Sequence, residues 1–350
     1  MIFRDDHIKQ MPWLPSGTIL VVSAGSRAYG LNRPDSDYDL RGLMIPPKDY
    51  YIGFLKTIEQ VEMKVEGGEG TLYAVPRFFQ LAADCNPNII EILWSDVFFS
   101  NDQFMEDLFR YREAFLSKKA RYTFSGYAMA QLKRIHTHRK WLLDPPKGKP
   151  EREDFGLPKT SLLSRDILGA IEALTKKATP SIGQRVREGI VPNAVKASGM
   201  TTDPMEVEEL AVDASFPAHV MNIYQRERAY HNAMQQWQQY ETWKGNRNQA
   251  RAAMEARFGY DTKHAMHLVR LMRMCGEILE GKGVIVRRPD YEELMAVRDG
   301  AWSYDQLMEF ATTQDELMGK LYETSTLPRE PDRPYLHQLC CSIMERYYNA

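Results

Sequence analysis

The chain is short of cysteine: Cys85, Cys275, Cys340 and Cys341 are the only four in 350 residues, and none forms a C-x-x-C pair. Cys340 and Cys341 are adjacent, a poor geometry for ordinary bridging. These are expected to be reduced thiols in a reducing compartment. No run approaches the roughly 20 apolar residues that span a bilayer. The start, MIFRDDHIKQMPW, lacks the basic opening and long apolar segment of a signal peptide. The expected location is therefore cytoplasmic, with no membrane partner. Charge of one sign is missing too: 45 basic against 47 acidic residues leave a formal −2. No global basic field draws in nucleic acid, so a polyanion must be held by a local patch. There is no G-x-x-x-x-G-K-[ST], which sets aside a P-loop kinase or ATPase, and no internal repeat or low-complexity tract.

What is present is ordinary globular composition, 43% hydrophobic and 26% charged, in a chain long enough for two domains. Thr18–Ala24 (TILVVSA) is a β-branched apolar run stopped by Gly25-Ser26, a buried strand by pattern. Residues 26–31 follow as a short helix or turn, and 32–36 as loop. Asp37–Ile45 (DYDLRGLMI) alternates as a second strand, closed by Pro46-Pro47. Thr57–Val65 alternates again, Gly67–Gly70 makes a turn, and a strand from Gly70 to Val75 leads into the helix RFFQLAADC. That helix stops at Asn86-Pro87. Asn88–Trp94 is one more short apolar element. From Asp102 the helical period dominates, over 103–116, 123–143, 162–177, 207–247 and 263–279. The segments 144–158 and 180–204 are irregular, and a mobile insertion is expected within 144–205. The expected organisation is a small α/β core at 1–116 followed by a mainly helical region at 117–350.

The chemistry concentrates in GSRAYGLNRPDSDYDLRG, residues 25–42, which crowds Asp35, Asp37 and Asp39 together. Residues i and i+2 of a strand share a face, so Asp37 and Asp39 present carboxylates roughly 6–7 Å apart at the backbone. Tyr38 and Leu40 should turn the other way, into a core. Two hard oxygen donors on a rigid strand suit Mg²⁺, which prefers carboxylates plus substrate phosphates. A pair of such ions can hold the attacking and leaving oxygens of phosphoryl transfer. Gly25 lets backbone N–H groups approach a phosphate, Ser26 adds a hydroxyl and Arg27 a charge. Either feature alone is common; a solvated acidic turn explains the aspartates equally well in isolation.

Together, Gly25-Ser26 and Asp37-Tyr38-Asp39 resemble the signature of the DNA polymerase beta-type nucleotidyltransferase superfamily. The fuller string resembles a nucleotidyltransferase family with RNA-repair-associated members and many phage and bacterial proteins. Residues 77–94, 261–279 and 284–300 carry the likeness further, so that it covers most of 20–116 and 255–310. The resemblance implies a short mixed sheet flanked by helices, an α+β core with a helical extension, in a bacterial or phage-infected cell. It implies that Gly25 and Ser26 bind the triphosphate of a nucleoside triphosphate and that Asp37 and Asp39 hold two Mg²⁺ ions. A third carboxylate belongs on a neighbouring strand, as metal ligand and to help deprotonate the attacking hydroxyl. Glu69 is the choice for it, with Glu66, Glu62 and Glu59 as rivals.

Two cationic helices complete the reading. Lys263, His267 and Arg270 lie at i, i+4 and i+7, one stripe of a helix. Spacing alone favours a solvated face; the resemblance makes these residues nucleotide or acceptor contacts. His264 and His267 lack a third ligand nearby, so zinc is rejected on spacing. LKRIHTHRKWLL (132–143), running on to Lys147, Lys149 and Arg152, is either a nucleic-acid patch with Trp141 as a stacking base platform or a balanced basic face. QQWQQYETW (235–243) stacks bases or packs a helix. The expected activity is Mg²⁺-dependent transfer of a nucleoside monophosphate to a hydroxyl, with an RNA 3′ end, tRNA included, as the favoured acceptor. The alternatives are nucleotidylation of a protein or small molecule, and an inactive RNA- or nucleotide-binding module.

Overall fold

The computed structural model describes residues 3, 5–65, 67–161, 163, 171, 218–247 and 249–350. Its sheet has five strands in the order β3-β4-β2-β1-β5: β1 Thr18–Ala24, β2 Tyr38–Met44, β3 Gln60–Val65, β4 Gly68–Ala74 and β5 Val97–Ser100. Only β2 and β4 run parallel; the other neighbours are antiparallel, so the sheet is mixed. β1 is buried along its whole length because both of its faces are covered. Leu20 and Val22 join the larger core with Leu43 and Phe78, while Val21 joins Leu14, Met44 and Leu72 in the smaller one. A continuous apolar run is what such a strand requires.

The β3–β4 turn is tighter than the glycine run implied. Gly67 turns at φ 76°, and Gly68 and Gly70 already lie in β4. Gly68 is needed there, since a Cβ would stand 1.8 Å from the Tyr38 carbonyl oxygen. Leu40 packs against the smaller core, as alternation requires. Tyr38 does not: it is exposed, with the Arg27 guanidinium 3.7 Å above its ring. The apolar element after Asn88 resolves into two helical turns, Pro87–Ile90 and Glu91–Trp94. β5, an exposed edge strand of four residues, had no clear signal in the sequence.

The helix Val75–Ala83 covers the larger core with Phe78 and Phe79 against Phe115. The helices Ala120–Leu143 and Thr262–Leu279 pack along each other, and Leu268, Leu271, Met272, Cys275 and Leu279 of the second are all buried. Further helices at Tyr291–Arg298, Tyr304–Thr324 and Arg333–Asn349 follow. The fold is thus α+β, a mixed sheet followed by a mainly helical region.

The chain divides into two compact units, Met1–Leu143 with Gln249–Ala350, and Asp144–Asn248. The first unit takes in the 262–279 helix, which packs along the 120–143 helix. In the second unit, Arg152 makes two hydrogen bonds to the buried Glu227, at 2.9 and 2.5 Å, and the Ser161 hydroxyl donates a third at 2.9 Å. Those bonds hold the Glu227 carboxyl below the usual range. Of the insertion expected at 144–205, residues 162, 164–170 and 172–205 lie outside the described residues. Among the described residues, no helix is long and apolar enough to cross a membrane.

Candidate active site

β1 ends where its apolar run meets Gly25, and the helical turn Gly25–Ala28 begins there. Gly25 has φ +61°, and a Cβ on it would lie 1.9 Å from Asp39 Oδ2. Only glycine both adopts this backbone easily and leaves room for the carboxylate. The Asp39 side chain therefore rests against the Gly-Ser turn, joining the two halves of the sequence signature. Gly25→Ala should displace that carboxylate and lower turnover by roughly a hundredfold with the fold retained. Steady-state kinetics alongside a melting curve checks this.

The strand register places the remaining groups. Asp39 is opposite Ala24 on β1 and opposite Glu69 on β4, and Glu69 is opposite Lys64 on β3. Partners in register point to one face, so Asp39 and Glu69 sit side by side on adjacent strands. Asp37 stands two positions earlier, just ahead of β2, and both Asp37 and Glu69 are exposed. Among the rivals, Glu62 is one strand further out, opposite Thr71. Glu59 pairs with Arg77 at 3.2 Å, and Glu66 lies outside the described residues. Asp37, Asp39 and Glu69 are hard oxygen donors of the kind a divalent cation takes, and the glycine-lined space at Gly25 is where Asp39 can present one.

Arg27 and Arg41, by contrast, are engaged in holding this end of the sheet. Arg27 donates to the backbone oxygens of Ser36 at 2.8 Å and Asp37 at 3.2 Å, fixing the acidic loop. Arg41 donates to the Asn88 carbonyl. Arg27 thus positions Asp37 through its backbone, a role the sequence did not suggest.

The cationic stripe of the 262–279 helix divides. Arg270 is 5% exposed, with Nη1 2.7 Å from Glu91 Oε1 and its guanidinium 3.7 Å above the Tyr29 ring. The Tyr29 hydroxyl donates to Glu91 Oε2 at 2.6 Å. Burial opposes the Arg270 charge, but Tyr29 and Glu91 outweigh it and raise its pKa. Arg270 is thus engaged with Glu91 and Tyr29 in the interior, unlike the partly exposed remainder of the stripe. Lys263 and His267 are partly exposed. Burial, then Arg270, Lys263 and His264 of the same helix and Arg298 of the 291–298 helix, push the His267 imidazole well below its ordinary value. Arg298 donates to the Leu31 carbonyl at 2.9 Å, and Leu31 N–H donates to the Ser26 carbonyl at 2.8 Å. One short segment thus connects the cations to the Gly-Ser turn.

A histidine kept neutral in the fold makes stability depend on pH. Above about pH 6.5 it is neutral in both folded and unfolded chains. As the pH falls below that value, only the unfolded chain takes up the proton, and stability is lost. His267→Gln should flatten this acid-side decline in urea midpoints measured from pH 7.5 to 5.

The basic helix offers less free charge than its sequence. His136 Nδ1 is 3.2 Å from the Tyr304 hydroxyl, and Arg139 donates to the Gly259 carbonyl at 2.9 Å while lying 4.5 Å from the Tyr304 ring. His138 stacks on Trp141. Lys133, Arg134 and Lys140 are exposed. In the other unit, Arg152 is bound to Glu227 and Lys149 is 6.0 Å from the Trp237 ring. Glu91, Tyr29 and Arg298 escaped the sequence reading, although a single Glu inside the apolar run NIIEILW was a visible sign of a buried partner.

No solved structure matches the chain. A stretch of 85 residues, 23% of this chain, is 29% identical to the uncharacterized protein YcgL of Bacillus subtilis (strain 168), and the match spans 31% of that protein's length. Residues 7–145, which hold the glycine turn and its carboxylates, match RlaP, the RNA repair pathway DNA polymerase beta family, and are thereby similar to polymerase beta-type nucleotidyltransferases.

Proposed function

We propose that this protein transfers a nucleoside monophosphate from a nucleoside triphosphate to the 3′ hydroxyl of an RNA, tRNA included. The observation that carries the reading is the Asp39 carboxylate seated on Gly25 and in register with Glu69. The triphosphate lies on the Gly25-Ser26 turn, whose hydroxyl and backbone N–H groups bind its oxygens. Asp37, Asp39 and Glu69 would hold the divalent ions, Mg²⁺ in this reading. Bound there, such ions neutralise phosphate charge and favour in-line displacement at the α-phosphorus. Glu69 takes the proton of the acceptor hydroxyl as that oxygen bonds to the α-phosphorus. The bond from the α-phosphorus to the bridging oxygen breaks, and pyrophosphate leaves. Lys263 offers positive charge and the neutral His267 a hydrogen bond to the phosphates, and Lys133, Arg134 and Lys140 offer positive charge to the RNA backbone. An RNA acceptor is also supported by the family's description as belonging to an RNA repair pathway.

The test incubates the protein with each of the four α-labelled ribonucleotides and Mg²⁺, with and without cellular RNA. Label entering RNA supports the reading and names the nucleotide; label on protein or small molecules without RNA contradicts the RNA acceptor. Within the assay, Glu69→Gln should lower turnover by roughly a hundredfold or more, with Glu62→Gln within about threefold of the wild type. The reverse order would move the base to β3.

A further inference from the structure

Spacing along one helix gave His264 no third ligand, yet the fold supplies two. One donor atom each from His138, Asp261 and His264 lie within 4.8 Å of one another. We infer that these three side chains form a site for a divalent transition-metal ion of the zinc class, joining the start of the 262–279 helix to the 120–143 helix.

The three donors are held by regular structure, which is what a preorganised metal site needs. Asp261 caps the 262–279 helix, its Oδ1 accepting from the His264 N–H at 3.0 Å. That bond fixes the carboxylate, which is only 3% exposed, and leaves Oδ2 3.9 Å from His264 Nδ1. The His138 ring comes from the neighbouring helix, 6.0 Å from the His264 ring between centroids. Trp141 stacks on the same His138 ring, 5.6 Å away between centroids. Metal–donor distances near 2.1 Å put tetrahedral donors roughly 3.4 Å apart. Binding an ion would draw the donors in from their present spread of up to 4.8 Å.

Donor chemistry selects the ion. Two imidazoles and one carboxylate suit zinc and its neighbours, whereas Mg²⁺ and Ca²⁺ take oxygen donors. The site is thereby distinct in ligand and in metal from Asp37, Asp39 and Glu69. A divalent ion supplies a counter-charge to a carboxylate buried at a helix junction, where burial of charge is costly unless compensated. Three protein donors leave a fourth position for water or an anion. The consequence is mechanical: the ion locks the two helices together at the end that carries Lys263 and His267.

The experiment uses the full chain, freed of metal with a chelator and titrated with Zn²⁺ by calorimetry, with melting followed in parallel. The expected result is one Zn²⁺ per chain and a higher melting temperature. Affinity should fall by at least about tenfold in His138→Gln and in His264→Gln, and stay unchanged in the Asp37→Asn/Asp39→Asn protein. No bound Zn²⁺, or wild-type affinity in both histidine variants, overturns the site. Should those variants fail to fold, X-ray absorption of the wild-type zinc complex decides. A nitrogen and oxygen shell without sulfur is expected. Sulfur in the shell would put the ion at Cys341, whose Sγ is 3.6 Å from His337 Nε2, and would overturn the proposal.

Discussion

Asp39→Asn is expected to lower nucleotidyl transfer by roughly a thousandfold, equivalent to about 4 kcal/mol of transition-state stabilisation. The substitution keeps the shape of the side chain and removes its charge. Asp39 is half-buried at the start of β2 and touches the glycine turn with its carboxylate, so the amide fits the same space. Circular dichroism and melting should therefore match the wild type. The loss belongs to chemistry: a neutral amide is a poor donor to a hard dication, and it leaves the charge of the proposed ions less compensated. Single-turnover kinetics at saturating triphosphate separates this from weakened binding. A fall in turnover confined to low triphosphate concentration would make Asp39 a binding residue only.

Glu91→Ala is expected to be the most destabilising single change in the first unit, by about 3–5 kcal/mol. Glu91 is 4% exposed and accepts from both Arg270 and Tyr29. Its removal leaves a guanidinium buried without its carboxylate and a phenol without its acceptor, and the charge cannot escape to water. Breaking one side of a buried ion pair costs far more than the pair contributes when intact. Glu91→Gln retains acceptor and donor groups and should lose less. Because Tyr29 follows the Gly-Ser turn, the alanine variant should also loosen that turn and reduce activity at temperatures where the protein remains folded. Urea unfolding followed by tryptophan fluorescence measures the first effect. A loss below about 1 kcal/mol would show that Arg270 finds another partner.

The parts of this architecture that were legible in the sequence are those set by neighbouring residues. TILVVSA followed by Gly25 forces a buried strand and a left-handed turn. The i, i+2 spacing of Asp37 and Asp39 follows from the strand they open. Glu69 depended on strand order and extent: β4 and not β3 lies beside β2, which leaves Glu62 one strand further out, and β4 begins at Gly68, early enough to bring Glu69 opposite Asp39. Helical spacing identified a stripe at Lys263, His267 and Arg270 but not its direction. A helix packed on several sides buries part of any stripe, and Glu91, 179 positions away, draws Arg270 inward. His138, Asp261 and His264 show the same limit, because two helices distant in sequence must pack before the group exists. β5 is short, and its Phe98 and Phe99 are exposed, so neither burial nor alternation marks it.

The most direct test of the account follows a phosphorus label placed in turn at the α and the γ position of the triphosphate, with RNA as acceptor. The α label is expected to enter RNA, the γ label to be released in pyrophosphate, and Asp39→Asn to abolish both. Entry of γ label into RNA would mean phosphoryl rather than nucleotidyl transfer. Transfer by Asp39→Asn at the wild-type rate would remove the carboxylates on β2 and β4 from the chemistry.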